Sequence, residues 1–337
     1  MADTIISSIG TINNTVEAPL APSVAYNTKY ATYLKLFSGE LFKAYESATV
    51  AKGTVQNRQL KNGKSLQFIF TGRMTADYHE PGKPILGSGD PPVAEKTIVC
   101  DDLLISSAFI YDLDETLAHY SLRSEISKKI GHALAEAYDK KIFRTIALAA
   151  REAHPITAAP GPEPGGSVIQ IGAGNQYDAQ KLVDAFFEAA AVLDEKNLPK
   201  QGRTAVLAPR QYYALVSQVD SNILNRDYGN TQGNLNSGQG LYQIAGIDLK
   251  LSNNLPFQAG TINAVNGENN AYNGAFANHA GLIYQKDAAG VVEAIGPQVQ
   301  TTGADIKAMY QGDLIVGRLA MGAGTLNPAA AIEIQTA

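Results

Sequence analysis

Residues 50–105 contain two strand-like segments that are separated by an insert far longer than a hairpin turn. The segments cover residues 66–71 and 97–100, and a stretch rich in proline and glycine at residues 81–92 lies between them. Hairpin loops usually contain only about 2–5 residues. A two-stranded ribbon also has too little apolar surface to be stable alone. The sequence therefore predicts an extended projection over residues 49–105 that must lie on a surface, supplied by the rest of the chain or by a neighbouring molecule.

A long helix is predicted after this projection. Apolar residues recur mostly every four positions from Leu122 through Ile126 and Ile130 to Ala149, and Ser121 can cap the start. At about 1.5 Å per residue, residues 123–151 would extend roughly 43 Å. A helix of this length is expected to span a domain rather than to lie within one.

The second half of the chain follows a different pattern. Residues 155–166 are rich in proline and glycine, which ends the helix and predicts a boundary. A helix is then predicted at residues 177–196, with one apolar face formed by Leu182, Val183, Phe186, Phe187, Ala190 and Leu193. A second helix is predicted at residues 210–216, with Pro209 at a first helical position. A loop rich in glycine and asparagine covers residues 226–240. Strands are predicted at residues 204–208, 241–245, 247–251, 282–284, 291–295, 314–319 and 331–334.

Composition limits the partners that this chain can have. Its 337 residues exceed the size of about 250–300 at which a single core tends to divide, which predicts two domains. Charged residues make up 18%, against a usual value of about 25%, as expected for a surface that faces other subunits or for a merely low-charge protein. The net charge of −5 argues against a broad basic face that binds nucleic acid. The mildly acidic surface of this chain could still line a DNA-filled cavity.

The chain has one cysteine, Cys100, so it has no intrachain disulfide, and the strand-like surroundings predict a buried apolar role. The start of the chain lacks the basic segment of a secretory signal. No apolar run approaches the ~18 residues that a membrane span needs. We therefore expect a protein that is cytosolic when it is made and has no membrane partner.

Several motifs resemble catalytic, nucleotide or metal sites, but each fits a structural role better. Gly172 and Gly174 form half of a dinucleotide fingerprint, but Tyr177 stands where the third glycine belongs, so a turn is predicted. The acids at positions 101–102 and 112–115 lack the spacing of a Ca²⁺ loop and are predicted to be solvated acids near the helix start. No histidine pair has zinc spacing. The sequence predicts no catalytic residue, no cofactor and no metal site.

The basic residues of the projection allow three interpretations. They lie among few acids, as in a solvated hairpin, in a positive arm resting on an acidic neighbouring subunit, or in a DNA contact. The candidates for contact between subunits are Lys64, Arg73, Glu80, Lys83 and Lys96.

The order of several segments resembles one protein family. The segments that carry the resemblance are residues 62–68 (NGKSLQF), 71–73 (TGR), 78–82 (YHEPG), 95–98 (EKTI), 110–114 (IYDLD), 119–125 (HYSLRSE), 252–256 (SNNLP) and 309–318 (MYQGDLIVGR). Through them the chain is similar to the major capsid proteins of autographivirus-type short-tailed phages (podoviruses), well over residues 28–150 and more loosely over 200–260 and 280–335.

This resemblance implies the tailed-phage major capsid fold, of class α+β. It implies an N-terminal arm at residues 1–48, an extended β-hairpin loop at 49–105 and a peripheral domain with a long spine helix at 106–155. An axial α/β domain would follow at residues 156–310. The strands of residues 311–337 would return to the peripheral or the axial sheet.

The resemblance also implies a function. The subunits would assemble themselves into hexamers and pentamers of an icosahedral shell around packaged double-stranded DNA, which lines the interior without sequence specificity. Each projection would overlay the peripheral domain of a neighbour. A scaffolding protein and a portal would take part in assembly in the host cytoplasm. The scaffolding protein would be a separate chain, because residues 1–48 are too short to hold a scaffolding domain. Some branches cross-link lysine to asparagine between subunits, and this branch is not expected to.

Two alternatives remain open at this stage. The same fold could form a bacterial nanocompartment that encloses a protein cargo. A nucleotide-dependent enzyme centred on residues 172–174 is the alternative from a different functional class.

Overall fold

A computed structural model describes residues 49–72, 74, 76, 78–84, 92–117, 122–157, 162–217, 243–301 and 310–337. The predicted arm at residues 1–48, most of the tip of the projection, the capping residue Ser121, the loop at 226–240 and the candidate Arg73 lie outside these residues. The described part of the chain divides into two compact units. One contains residues 105–134 and 297–318, and the other contains residues up to 104, 135–296 and 319–337, each with the gaps given above.

The described elements mix helices and strands, as the predicted α+β class requires. The helices are α1 (Asp112–Leu117), α2 (Leu122–Ala149), α3 (Ala179–Glu195) and α4 (Pro209–Ser217). The strands are β1 (Gln56–Gln59), β2 (Ser65–Thr71), β3 (Val93–Val99), β4 (Leu104–Tyr111), β5 (Ser167–Gln170), β6 (Arg203–Leu207), β7 (Gln243–Ile244), β8 (Ile247–Leu251), β9 (Thr261–Ile262), β10 (Gly274–Ala275), β11 (His279–Gln285), β12 (Ala289–Thr301), β13 (Gly312–Thr325) and β14 (Ala331–Gln335).

A six-stranded sheet in the order β5-β14-β11-β6-β8-β7 forms the core of the larger unit. Strand β6 is buried along its whole length, as its apolar run predicts. Helix α3 begins where the Asp178 carboxylate accepts hydrogen bonds from the backbone N–H groups of Gln180 and Lys181. Its apolar face packs on the sheet through Leu182, Phe186 and Leu193. The predicted helices and strands of this region are thus confirmed in type.

One residue of α3 was assigned to the wrong face. Phe187 was predicted to lie with the apolar stripe, but its side chain is 59% exposed. Phe186 occupies the buried position beside it. At 100° per residue, Phe187 lies about 100° further around the helix than Phe186, which places it beyond the edge of the buried stripe.

The projection is an antiparallel hairpin of β2 and β3, in register from Ser65 opposite Val99 to Thr71 opposite Val93. Strand β3 begins four residues before the predicted segment. One face of the hairpin is buried, where Phe68 and Ile98 pack on Val292 and Leu326 of the same chain. Of the two supports that the sequence left open, the rest of the chain and a neighbouring molecule, the base of the hairpin uses the first. Its own chain supplies a surface for one of the two faces.

Two glycines of β13 allow strand β3 of the hairpin to lie close against β13. A Cβ atom at Gly322 would lie 2.0 Å from the Val99 carbonyl oxygen, and one at Gly324 would lie 2.7 Å from Ile98 Cγ1. These two positions share one face of a strand because side chains alternate along it. Glycine at both positions therefore opens the groove in which β3 lies.

The smaller unit is built on the start of the long helix. Helix α2 confirms the predicted strut, and at about 1.5 Å per residue its 28 residues extend roughly 42 Å. Within this unit Ile130 packs against Ile110 of β4 and Ile315 of β13. Helix α1 and strand β4 were not predicted. The acids at 112–115, interpreted as solvated residues, lie in α1, and Asp114 is buried.

The C-terminal strands enter two different sheets. Strand β13 belongs to a four-stranded sheet in the order β1-β12-β13-β4, whereas β14 belongs to the six-stranded sheet. The domain boundaries inferred from the sequence stay predictions. None of the helices in the described part of the chain carries the apolar run that would let it cross a bilayer.

Substitution of Gly322 by alanine should destabilise the subunit by more than about 2 kcal/mol, because the new methyl group overlaps backbone atoms that cannot rotate away. The measurement is urea unfolding followed by tyrosine fluorescence, since the chain has 16 tyrosines and no tryptophan. Gly296→Ala is the matched control, because nothing lies within 4 Å of a Cβ there. Equal free energies of unfolding for the two variants would contradict the close packing of β3 on β13.

Candidate assembly surfaces

The second face of the hairpin is exposed. Ile69 and Val93 lie on the side opposite Phe68, and their side chains are 70% and 60% exposed. Met74 and Tyr78, further along the projection, are also exposed. We call these four residues the hairpin surface. Exposed apolar side chains that are concentrated in one region of a protein often mark a site of contact with another molecule.

Strand β4 carries another exposed apolar surface in the smaller unit. Along its sequence LISSAFIY, Ile110 is buried with α2, and the alternate positions Ile105, Phe109 and Tyr111 point outward. The Phe109 ring makes edge contacts with Tyr111, at 4.9 Å between centroids, and with Tyr310, at 6.4 Å. The exposed residues of this region form what we call the β4 surface: Ile105, Phe109, Tyr111, Leu113 of α1 and Tyr310. Among the strands that the structure describes, β4 is also an edge of its sheet, a position that proteins usually cover or charge.

Gly312 fixes the Phe109 ring within this surface. A Cβ atom at Gly312 would lie 2.4 Å from the Ile110 carbonyl oxygen and 2.8 Å from the Phe109 ring. The absence of a side chain at this position lets the ring lie over the start of β13. The aromatic cluster is therefore positioned by backbone packing and not only by contacts between rings.

The candidate contact residues that were predicted from the sequence and that the structure describes lie in different parts of the projection and do not form one cluster. Glu80 and Lys83 form an exposed ion pair with each other, with 2.5 Å between Oε2 and Nζ. Lys96 forms an ion pair within its own chain, 2.9 Å from Glu152 Oε1. Lys64 is exposed, and its carbonyl accepts the Cys100 N–H. Of the four candidates that the structure describes, Glu80 and Lys83 are brought together, and a role for any of the candidates between subunits stays a prediction.

Asp101 was interpreted as a solvated acid, and this is wrong. Its carboxylate is buried and lies 3.0 Å from Lys141 Nζ. The Tyr272 hydroxyl, the Asn269 backbone N–H and the Asn270 side-chain amide also donate to it, at 2.7, 2.9 and 3.0 Å. Asp101 therefore fastens the end of the hairpin to helix α2 and to the loop before β10. The partners are 40 to 171 residues away in sequence, so no local pattern could have indicated them.

Glu333 forms a second buried ionic cluster. The Arg151 guanidinium donates to both of its carboxylate oxygens at 2.6 Å, and His279 Nδ1 lies 2.6 Å from Oε1. Burial opposes ionisation of Glu333, but Arg151 and His279 outweigh it and hold the pKa of this carboxyl below its ordinary value. The cluster ties the segment after α2 to β11 and β14.

Lys196 fixes the stretch that was predicted as a boundary. Its Nζ donates to the Gly165 carbonyl at 2.7 Å and to the Ser167 hydroxyl at 2.8 Å. Burial lowers the pKa of Lys196 to about 8. The C-terminal end of α3 therefore holds the chain where it enters β5.

The turn at residues 172–174 does not form a phosphate site. Gly172 and Gly174 have φ angles of 85° and 82°, as a tight turn requires. The backbone N–H groups at the start of α3, which would have to face an anion, donate instead to the Asp178 carboxylate. An acid at this place repels phosphate. Within the described ranges, no cluster of three His, Cys, Asp or Glu residues could hold a metal ion.

The fold places this protein in the class of tailed-phage shell subunits. The solved capsid of cyanophage P-SCSP1u matches with a TM-score of 0.77 and 36% identity, over 89% of this chain and 92% of that chain. The mature capsid of bacteriophage PhiM1 matches with a TM-score of 0.70 over 89% of this chain and 90% of that chain. Its 15% identity shows similarity of fold alone.

The chain belongs to the family "Gp10A-like: Major capsid protein", whose profile matches residues 68–335. The major capsid protein of Escherichia phage T7 is 28% identical over 326 residues, which cover 91% of this chain and 92% of that protein. The corresponding protein of Enterobacteria phage T3 is 26% identical over 90% of this chain and 91% of that protein. The resemblance to capsid proteins of short-tailed phages is confirmed. The protein is a major capsid protein, a structural component of the virion that associates with itself, and not an enzyme.

Replacing Glu333 by glutamine should destabilise the subunit by about 3 kcal/mol, because Arg151 and His279 would face a neutral amide in a buried site. Because the folded-state pKa of Glu333 is depressed, its contribution is present above its ordinary pKa of 4.5 and is lost as the pH falls through the lower folded value. The wild type should therefore lose more stability on acidification below pH 4.5 than the variant does.

The control for this substitution is Glu80→Gln, which removes an exposed ion pair and should cost less than about 1 kcal/mol. Both measurements use urea unfolding of the free subunit at several pH values. The cluster would have no structural importance if Glu333→Gln were as stable as Glu80→Gln at neutral pH.

Proposed function

We propose that this protein builds an icosahedral shell of hexamers and pentamers in which the hairpin surface of each copy covers the β4 surface of the next. The observation that carries this proposal is the presence of two apolar surfaces, both exposed on a single chain. Because every copy carries both surfaces, the hairpin surface of one copy can cover the β4 surface of the next while its own β4 surface is covered by a third copy.

The geometry of such a contact favours rings. The two surfaces are different, so a contact between them is heterologous, and repeated heterologous contacts close into a ring when the rotation between copies permits it. Rings of five and six are the units from which an icosahedral shell is made. The resemblance to phage major capsid proteins supports the same arrangement.

The size of the two surfaces suits a reversible contact. Fully burying one large apolar side chain contributes about 1.5–3 kcal/mol, but association costs several kcal/mol in lost freedom. Four or five such side chains on each copy therefore give a modest single contact. Many contacts in a closed shell then act together, which makes the shell much more stable than any pair of copies.

We assign the domains by the same reasoning. The six-stranded sheet with α3 and α4 corresponds to the axial domain of residues 156–310, completed by β14. Helix α2 with β4 and β13 corresponds to the peripheral domain. Residues 49–105 are the extended loop and residues 1–48 the N-terminal arm. This assignment is supported by the order of the elements along the chain.

The remaining partners are proposed from the net charge and from the similarity to phage capsid proteins. With a net charge of −5, the shell would enclose double-stranded DNA by confinement and mild repulsion rather than by binding its sequence. A separate scaffolding protein and a portal would guide assembly in the host cytoplasm. A nanocompartment for protein cargo has no observation in its favour, and the relatives named above are phage capsid proteins.

The double substitution Ile69→Lys and Val93→Lys should abolish shell formation without unfolding the subunit, because both side chains are exposed in the single chain. Particles are counted by electron microscopy after expression with the scaffolding protein, and the stability of the subunit is checked by urea unfolding. Val265→Lys is the matched control, since Val265 is equally exposed but lies outside both surfaces. Normal particles from the double variant would refute the role of the hairpin surface.

A mixing experiment tests the pairing of the two surfaces. Tyr111→Lys with Leu113→Lys should block the β4 surface while leaving the hairpin surface intact. Each variant alone should stay monomeric. An equimolar mixture retains one intact contact and should give heterodimers but no shells, measured by analytical ultracentrifugation. A mixture that stays monomeric would contradict the pairing.

A further inference from the structure

Three asparagines of the described chain precede a glycine: Asn62, Asn266 and Asn273. An asparagine in this position can react with its own backbone. The next residue's amide nitrogen attacks the side-chain carbonyl carbon, and a following glycine has no side chain to hinder that approach. The reaction requires the backbone to rotate, so the folded structure decides which of the three sites reacts.

The turn that contains Asn62 is open. Asn62 and Gly63 are both exposed, between β1 and β2. Gly63 has a φ angle of 90°, and no atom lies within 4 Å of a Cβ built on it. Lys61 and Lys64 flank the pair and are also exposed. Two cations beside the reacting amide stabilise the negative charge that develops when the Gly63 N–H loses its proton.

The turn that contains Asn266 is closed by hydrogen bonds. The Glu268 N–H donates to the Val265 carbonyl across it, at 3.1 Å. The Gly267 carbonyl also accepts the Asp102 N–H at 3.0 Å. Rotation of the backbone at Gly267 would break both bonds.

Asn273 is restrained by a strand. Gly274 lies in β10, paired with Ile262 of β9. The position of a Cβ on Gly274 lies 3.1 Å from Leu148 Cδ2 and 3.4 Å from the Phe276 ring. The backbone at this site has no room to turn toward the asparagine side chain.

We propose that Asn62 is a site of spontaneous deamidation, at which the open Lys61–Lys64 turn is chemically modified while the other two Asn–Gly pairs are protected. The Gly63 nitrogen forms a bond to Asn62 Cγ, and the Cγ–Nδ2 bond breaks to release ammonia, which carries away the proton lost from the Gly63 N–H. Water then opens the resulting succinimide to aspartate or isoaspartate. One water is consumed, one ammonia is released and nothing is oxidised.

The modification would alter the base of the hairpin. It adds one negative charge between two lysines, and isoaspartate also adds a methylene group to the main chain. The Lys64 carbonyl accepts the Cys100 N–H at 2.8 Å, which joins this turn to the end of β3. An effect on assembly rests on the proposed function, since it needs the hairpin to contact another copy. The reaction itself does not.

The test is peptide mapping by mass spectrometry of the full-length subunit during incubation in mildly alkaline buffer. Deamidation at Asn62 should exceed that at Asn266 and Asn273 several-fold in the folded protein. In urea the difference between the sites should shrink, because the restraints on the other two are then lost. Equal rates in the folded protein, or a faster reaction at Asn266 or Asn273, would overturn the proposal.

Two variants sharpen the test. Asn62→Gln should eliminate the fast component, because the longer side chain must form a six-membered ring. Lys61→Gln with Lys64→Gln should slow it, and an unchanged rate would show that the lysines do not contribute. All measurements are made on the free subunit, so a failure of shell assembly would leave this result intact.

Discussion

The structure depends on how a thin two-stranded ribbon is kept in place. A ribbon has two faces, and this chain covers one of them by packing Phe68 and Ile98 on Val292 and Leu326. The glycines of β13 make that approach possible. The opposite face, with Ile69 and Val93, remains in water. The hairpin is therefore stable enough to be displayed by a single subunit, and still retains apolar surface for another copy.

The ends of this ribbon are fastened by buried polar groups rather than by apolar packing alone. Asp101 fixes the residues after β3 to helix α2, and Asp139 of that helix accepts the backbone N–H groups of Val50 and Ala51 before β1. Burial raises the pKa of Asp139 in spite of these bonds. Buried carboxylates of this kind are costly to leave without partners. They therefore hold the projection in one orientation, which a contact repeated many times in a shell requires.

Low charge and exposed apolar strands have a common explanation in this protein. Both would be liabilities for a monomer, because an edge strand such as β4 invites aggregation. Both are useful in a subunit whose surface is to be covered by copies of itself. The membership in a capsid protein family gives that interpretation its biological setting. Membership in this family of structural proteins also agrees with a structural role for the glycine turn at residues 172–174 and for the acids at 101–102 and 112–115.

The sequence by itself determined the elements whose signal is local: the long helix α2, the apolar strand β6, the helix α4 that starts at Pro209, and the existence of a projection. It also carried the family resemblance. Only the tertiary structure decided that the hairpin rests on its own chain, that Phe187 points outward, and that Asp101 and Glu333 are buried in ionic clusters. The physical reason is distance along the chain, since Asp101 lies 171 residues from Tyr272 and Arg151 lies 182 from Glu333. Periodicity describes neighbours within a few turns, whereas burial and charge pairing depend on which distant segments meet.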